Sequence, residues 1–161
     1  MGGKATMSQL RSILLAIEQA TRQRDDAVKV VLRVKRNLGF VQDQMGQLQG
    51  YAGDTDARWT GSASGALSAE LIRHHYQFME RLQQAIGLQV GVMSSTNAQL
   101  EIANKALLQA EFRLSGLNQV LKNRQAALER TQKQRDQRQT DEFAAMLHAR
   151  TRRLPMSGET Q

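Results

Sequence analysis

Between Ile72 and Leu128 every seventh residue is apolar: Ile72, Met79, Ile86, Met93, Leu100, Leu107, Leu114, Leu121 and Leu128, nine out of nine. A period of seven sets these side chains in one line along an α-helix. Such a line is stable in water only when a second helix covers it. The single proline, Pro155, lies beyond the pattern. The spacing therefore predicts one very long helix, about residues 67–150, on the order of 120 Å at 1.5 Å per residue.

A second pattern precedes it. Leu10, Ile17, Arg24, Val31, Leu38 and Met45 are seven apart, and Ile13, Ala20, Ala27, Val34, Val41 and Leu48 follow them three residues on. Eleven of the twelve are apolar, where a 40% hydrophobic composition predicts about five, so this is a heptad seam. Thr6 followed by Gln9 reads as a capping box that starts the helix. Gly50 and Gly53 mark its end, which gives helix one the span of about 8–50. Gly, Ser, Thr and Asp cluster from Gly50 to Gly65, the composition of a loop, placed at about 51–66. Ser62 and Ser64 are candidate caps for the helix that follows. Residues 154–161 read as a flexible tail. Gly87, Gly91 and Gly116 are places for local bends, and the Gly87–Gly91 pair reads as a point of close helix approach.

The fold class is thus all-α: a single coiled-coil domain, 1–161, built as a two-helix antiparallel hairpin whose second helix is longer than the first. The frequent Leu, Ala, Gln, Arg and Glu, with only 4% aromatic residues, argue against sheet architectures. Helix one, at about 65 Å, brings residue 48 near residue 69 and residue 10 near residue 107. Beyond about residue 110 helix two would have no partner, while Leu114, Leu117, Leu121 and Leu128 continue the apolar row. Exposing such residues forfeits roughly 1.5–3 kcal/mol each relative to burial. Another protein or a second copy is expected to cover them.

A second surplus lies nearer the loop. Leu71, Phe78, Ala85 and Val92 run beside the main row. Phe78, Leu82 and Ala85 share one face, and Gln44, Leu48 and Tyr51 have the same spacing on helix one. These residues serve either as hairpin core or as a face for a partner.

The net charge is +7 and the pI about 10.4. Basic residues gather at 22–36 and at 122–153, the latter including Arg124, Arg130, Lys133, Arg135 and Arg138. A solvated helix face and electrostatic docking into an acidic opening are the two readings. No zinc-finger, helix-turn-helix or RNA-binding aromatic pattern accompanies the charge, so nucleic acid is not expected as a partner. With no cysteine, no signal-peptide pattern and no membrane-spanning run, the chain is expected in the cytoplasm. His74 and His75 are adjacent, about 100° apart on a helix, and do not form a metal clamp. No phosphate loop, nucleophile elbow or paired carboxylates appear, and a thin hairpin offers no concave pocket. No enzyme activity, cofactor or metal is expected.

Three segments carry a resemblance. They are Gln44-Met45-Gly46-Gln47-Leu48-Gln49-Gly50-Tyr51, then Tyr76-Gln77-Phe78 through Gln84-Ala85-Ile86, and Arg135-Asp136-Gln137-Arg138-Gln139-Thr140-Asp141-Glu142-Phe143-Ala144. In this order they resemble the FliJ family of flagellar type III export proteins over most of the chain. The resemblance implies a stalk that inserts the end carrying both termini into the hexameric export ATPase (FliI) and promotes its assembly and activity. It also implies a face that contacts the export gate protein (FlhA), engagement of export chaperones, and association with the cytoplasmic face of the inner membrane at the flagellar base only through the gate. Gln44, Leu48, Tyr51, Phe78, Leu82 and Ala85 match the gate-contacting positions, and Gln89 stands one step further along that face. The Asp141-Glu142 pair matches the C-terminal pattern on the ATPase-inserting end. Combined with the overhang argument, this gives Leu114, Leu117, Leu121, Leu128, Arg124, Arg130, Lys133, Arg135 and Arg138 as the ATPase-ring contact. A virulence injectisome stalk, and a generic basic scaffold or nucleic-acid-binding coiled coil, are the alternatives.

Overall fold

Sustained heptads should give long uninterrupted helices, and a computed structural model of the chain has two. It describes residues 2–62 and 68–153. Helix α1 spans Gly2–Ser62 and helix α2 spans Ala69–Arg152. They run in opposite directions and pack on each other, the second being the longer.

Helix α1 outlasts the sequence expectation at both ends. It starts before Thr6, so the Thr6–Gln9 pair is no capping box. Thr6 lies inside the helix, and its hydroxyl donates back to the Gly3 carbonyl at 3.0 Å. At the other end the region read as a loop from residue 51 is helical through Ser62. The seam explains why. Continuing the rows by sevens beyond Met45 and Leu48 gives Ala52, Thr55 and Trp59, and all three are half-buried. Trp59 stacks face to face on His75 of α2, ring centroids 3.9 Å apart. Gly50 and Gly53 each cost roughly 1 kcal/mol of helix propensity, but both point to open space off the seam. Packing on α2 outweighs that cost.

Helix α2 begins at its own cap. The Leu71 amide donates to the Ser68 hydroxyl at 3.3 Å, and the Leu71 and Ile72 amides reach the Ser68 carbonyl. This serine satisfies first-turn donors of α2. Ser62 is the last residue of α1. Ser64, the rest of the connection at 63–67 and the tail at 154–161 lie outside the described residues. Glu70 in the first turn and Arg150 and Arg152 in the last complement the helix dipole.

The core is the seam itself. On α1 every position by sevens from Leu10 to Trp59 and from Ile13 to Thr55 is buried or half-buried. On α2 the same holds from Met79 to Leu121 and from His75 to Leu117. The most covered residues are small or slender: Ala20, Val31, Val41, Met45, Thr96 and Ala103. Among the described residues no side chain is sealed completely. Thr96 is tolerated in the seam because its hydroxyl donates to the Val92 carbonyl at 2.8 Å. Gly87 and Gly91 are exposed, and a Cβ at either would meet nothing within 4 Å. They are outer-face residues, not a point of close helix approach.

The chain divides into two units: Gln19–Leu114, and residues 2–18 with 115–153. In the first, Gln44 lies against Gln89 and Trp59 against His75. In the second, Gln9 lies against Arg124, and Thr6 and Thr131 line one groove. Helix α1 therefore covers α2 as far as Thr131, about twenty residues past the point expected from the sequence. Leu114, Leu117 and Leu121 are half-buried, not exposed on an overhang. The length mismatch survives, but it begins after Thr131.

Candidate functional site: two surfaces left uncovered

The first surface belongs to the Gln19–Leu114 unit. Gln44 and Tyr51 immediately precede the seam residues Met45 and Ala52; Phe78 and Ala85 immediately precede Met79 and Ile86. In an antiparallel pair, residues preceding the seam on the two helices border the same side of it. A hydrogen bond ties Gln44 of this border to α2. The Gln89 amide donates to the Gln44 side-chain oxygen at 3.1 Å and to the Val41 carbonyl at 3.0 Å. Gln89 sits on the seam, so its amide fastens the two helices and fixes Gln44 in place. Tyr51 and Phe78 are exposed, and Leu48, Leu82 and Ala85 are half-buried. Leu48 and Leu82 are seam residues, while Phe78 and Tyr51 face outward. Leu71 and Val92 extend the same border and are about half exposed.

The second surface belongs to the other unit. After Leu121 every residue of α2 is exposed, through Arg152. The seam rows turn polar here, reading Arg135, Arg138 and Glu142. The apolar side chains move elsewhere. Phe143, Met146 and Leu147 are 64%, 66% and 51% exposed, and Phe143 and Met146 are each one residue ahead of the seam rows. One residue is about 100° around a helix. The apolar stripe at this end therefore faces away from the line on which α1 packs, and Arg150 and Arg153 continue it. Following only the heptad rows misses these residues. The signal was present in the run Phe143-Ala144-Ala145-Met146-Leu147, which falls out of phase with everything before it.

Charge accumulates in this same unit. Residues 2–18 and 115–153 contain eleven basic and five acidic side chains, a net +6, against eleven and nine in Gln19–Leu114. None of the nine basic residues from Lys122 to Arg153 has a carboxylate within 4 Å among the described residues. Arg124 instead donates to the Gln9 side-chain oxygen at 3.1 Å. Arg124, Arg130, Lys133, Arg135 and Arg138 are all exposed, and Leu128, the last apolar residue of the seam, is 36% exposed.

Among the described residues no three His, Asp or Glu side chains converge as metal ligands. No helix there is long and apolar enough to cross a membrane. His75 stacks on Trp59 and meets Tyr76 edge-on, and His74 is exposed.

Comparison with known proteins places these features. Residues 8–153 match the family described as Flagellar FliJ protein. No curated protein and no solved structure gives a match. The family match spans both helices and both uncovered surfaces. The chain belongs to the flagellar FliJ family and is a flagellar type III export-related protein.

Proposed function

We propose that the protein is the stalk of the flagellar export ATPase, a coupling protein without catalytic activity of its own. The exposed end of α2 enters the ring of the hexameric ATPase and promotes its assembly and activity. The border carrying Gln44, Leu48, Tyr51, Phe78, Leu82 and Ala85 meets the export gate protein, and the protein also engages export chaperones. It works on the cytoplasmic side and reaches the membrane only through the gate.

The observation that carries this reading is the end of α2. A segment that only completed a hairpin would stop with its partner. This one continues for about twenty residues past Thr131 and presents Phe143, Met146 and Leu147 off the seam, amid arginines with no carboxylate within 4 Å among the described residues. Large exposed apolar residues rimmed by charge mark contact surfaces. The ring contact is accordingly Leu128, Arg124, Arg130, Lys133, Arg135 and Arg138, joined by Phe143, Met146 and Leu147. Leu114, Leu117 and Leu121 hold the hairpin that supports it.

The test is stimulation of ATP hydrolysis by the purified cognate ATPase. Replacing Phe143, Met146 and Leu147 together by Asp changes only exposed side chains, so the helical hairpin should persist while stimulation is lost. Full stimulation by this variant would defeat the reading.

A further inference from the structure

Within the Gln19–Leu114 unit the Gln44–Gln89 bond sets the register. Four residues back along α1 and four on along α2, Phe40 comes level with Met93; fourteen residues away, Val30 comes level with Ala103. Val30 and Val92 immediately precede the seam residues Val31 and Met93, so they lie on the border that also carries Gln44 and Phe78. Phe40, Leu88 and Ile102 stand three residues on from Asn37, Ala85 and Gln99 of that border, one step further out on the same side. All five apolar side chains are exposed. They form two levels, Phe40 with Leu88 and Val92, and Val30 with Ile102. Over the same length the opposite border places Lys35, Asn97 and Asn104 between Val28 and Val90.

Charge is one-sided here as well. Residues 27–42 of α1 hold Lys29, Arg33, Lys35 and Arg36 and no acid, and on α2 no charged residue occurs between Arg81 and Glu101. Lys29 has Asp26 at 4.0 Å. Arg33, Lys35 and Arg36 have no carboxylate within 4 Å among the described residues. Lys29, Arg33, Arg36 and Phe40 follow at spacings of four, three and four, so they share one face of α1. The trough between the helices is thus apolar along its α2 rim and cationic along its α1 rim.

We infer that this trough receives an amphipathic helix of a partner protein, with its apolar stripe on Val30, Phe40, Leu88, Val92 and Ile102. Asp or Glu along one flank of that helix meets Lys29, Arg33 and Arg36. An apolar floor beside a row of uncompensated cations is the complement of such a helix. From Val30 to Gln44 the trough runs about 20 Å, the length of four helical turns. Neither the exposed end of α2 nor contact at Tyr51 and Phe78 is needed for this docking.

The experiment uses the full-length chain and two fluorescent helical peptides of about four turns, alike in a leucine stripe, one flanked by Glu and the other by Lys. The Glu peptide should bind saturably, and the Lys peptide at least tenfold more weakly. Phe40→Asp, and Arg33→Glu combined with Arg36→Glu, should each weaken the Glu peptide at least tenfold. The double charge reversal should also strengthen the Lys peptide, a gain that misfolding cannot produce. Lys35→Glu makes the same charge change on the opposite border and should alter affinity less than twofold. No saturable binding, equal binding of both peptides, or an equal loss from Lys35→Glu would overturn the inference. Two further arms test other occupants. A dimer of the free chain that Phe40→Asp dissociates would assign the trough to a second copy. Binding to phosphatidylserine vesicles that the same variants abolish, with no peptide preference, would assign it to a lipid surface. Either result overturns the partner helix.

Discussion

If α1 covers α2 as far as Thr131, truncating Leu117 or Leu121 should destabilise the hairpin, and truncating Phe143 or Leu147 should not. A fully buried leucine cut to alanine costs roughly 2–5 kcal/mol, part transfer and part cavity. Leu117 and Leu121 are half-buried, and the thin hairpin can relax around the gap, so the expected loss is about 1–2 kcal/mol each. For a chain of this size that is a fall in melting temperature of roughly 3–6 °C. Phe143 and Leu147 touch no second helix, so Phe143→Ala and Leu147→Ala should stay within about 0.5 kcal/mol of the parent. Thermal melts followed by circular dichroism at 222 nm, all four variants at one protein concentration, give the comparison. The shorter α1 expected from the glycines would leave Leu117 and Leu121 without a partner. Melts unmoved by those two truncations would therefore refute the register, and with it the place where the uncovered segment begins.

Four other outcomes follow from the geometry. Gly87→Ala and Gly91→Ala meet open space and should each stabilise the helix by about 0.5–1 kcal/mol; a lower melting temperature would mean that these glycines serve a contact or bend. His75→Ala removes the stacked partner of the sole tryptophan. Trp59 emission should shift to the red with a stability loss of about 1 kcal/mol, and unchanged emission would place Trp59 elsewhere. Gln89→Ala should cost about 1 kcal/mol through the lost bonds to Val41 and Gln44, and a double-mutant cycle with Gln44→Ala should show coupling; strict additivity would deny the cross-helix bond. Raising salt from low to physiological strength should weaken the proposed ATPase complex severalfold, because the basic residues of the terminal unit are exposed. An affinity indifferent to salt would rule out charge as part of docking.

The heptad rows made the fold class, the antiparallel pairing and most seam residues readable from the chain. The ends of α1 were not readable the same way. Gly50, Gly53, Asp54 and Asp56 look like a turn to any local rule, and Thr55 breaks the apolar count. What keeps this stretch helical is non-local: Ala52, Thr55 and Trp59 reach α2, and the Trp59–His75 stack forms only once the helices pair. Because pairing register follows from helix length, the error propagated. It turned Leu114, Leu117 and Leu121 into apparent overhang. It also drew attention from Phe143, Met146 and Leu147, which lie off the heptad line and become interpretable only when the end of the seam is known. The border at Gln44, Tyr51 and Phe78 was legible, because it needs only spacing. The tie that Gln89 makes to Gln44 was not.

That no side chain among the described residues is completely sealed has a mechanical consequence. Among the described residues cohesion is spread along the seam in many modest portions, not gathered at one keystone. Such a molecule should loosen by unzipping inward from the helix ends, a few turns at a time. Amide exchange would then show a gentle gradient in place of one sharp threshold, and a pull or twist on one end would be met by many weak fasteners in succession.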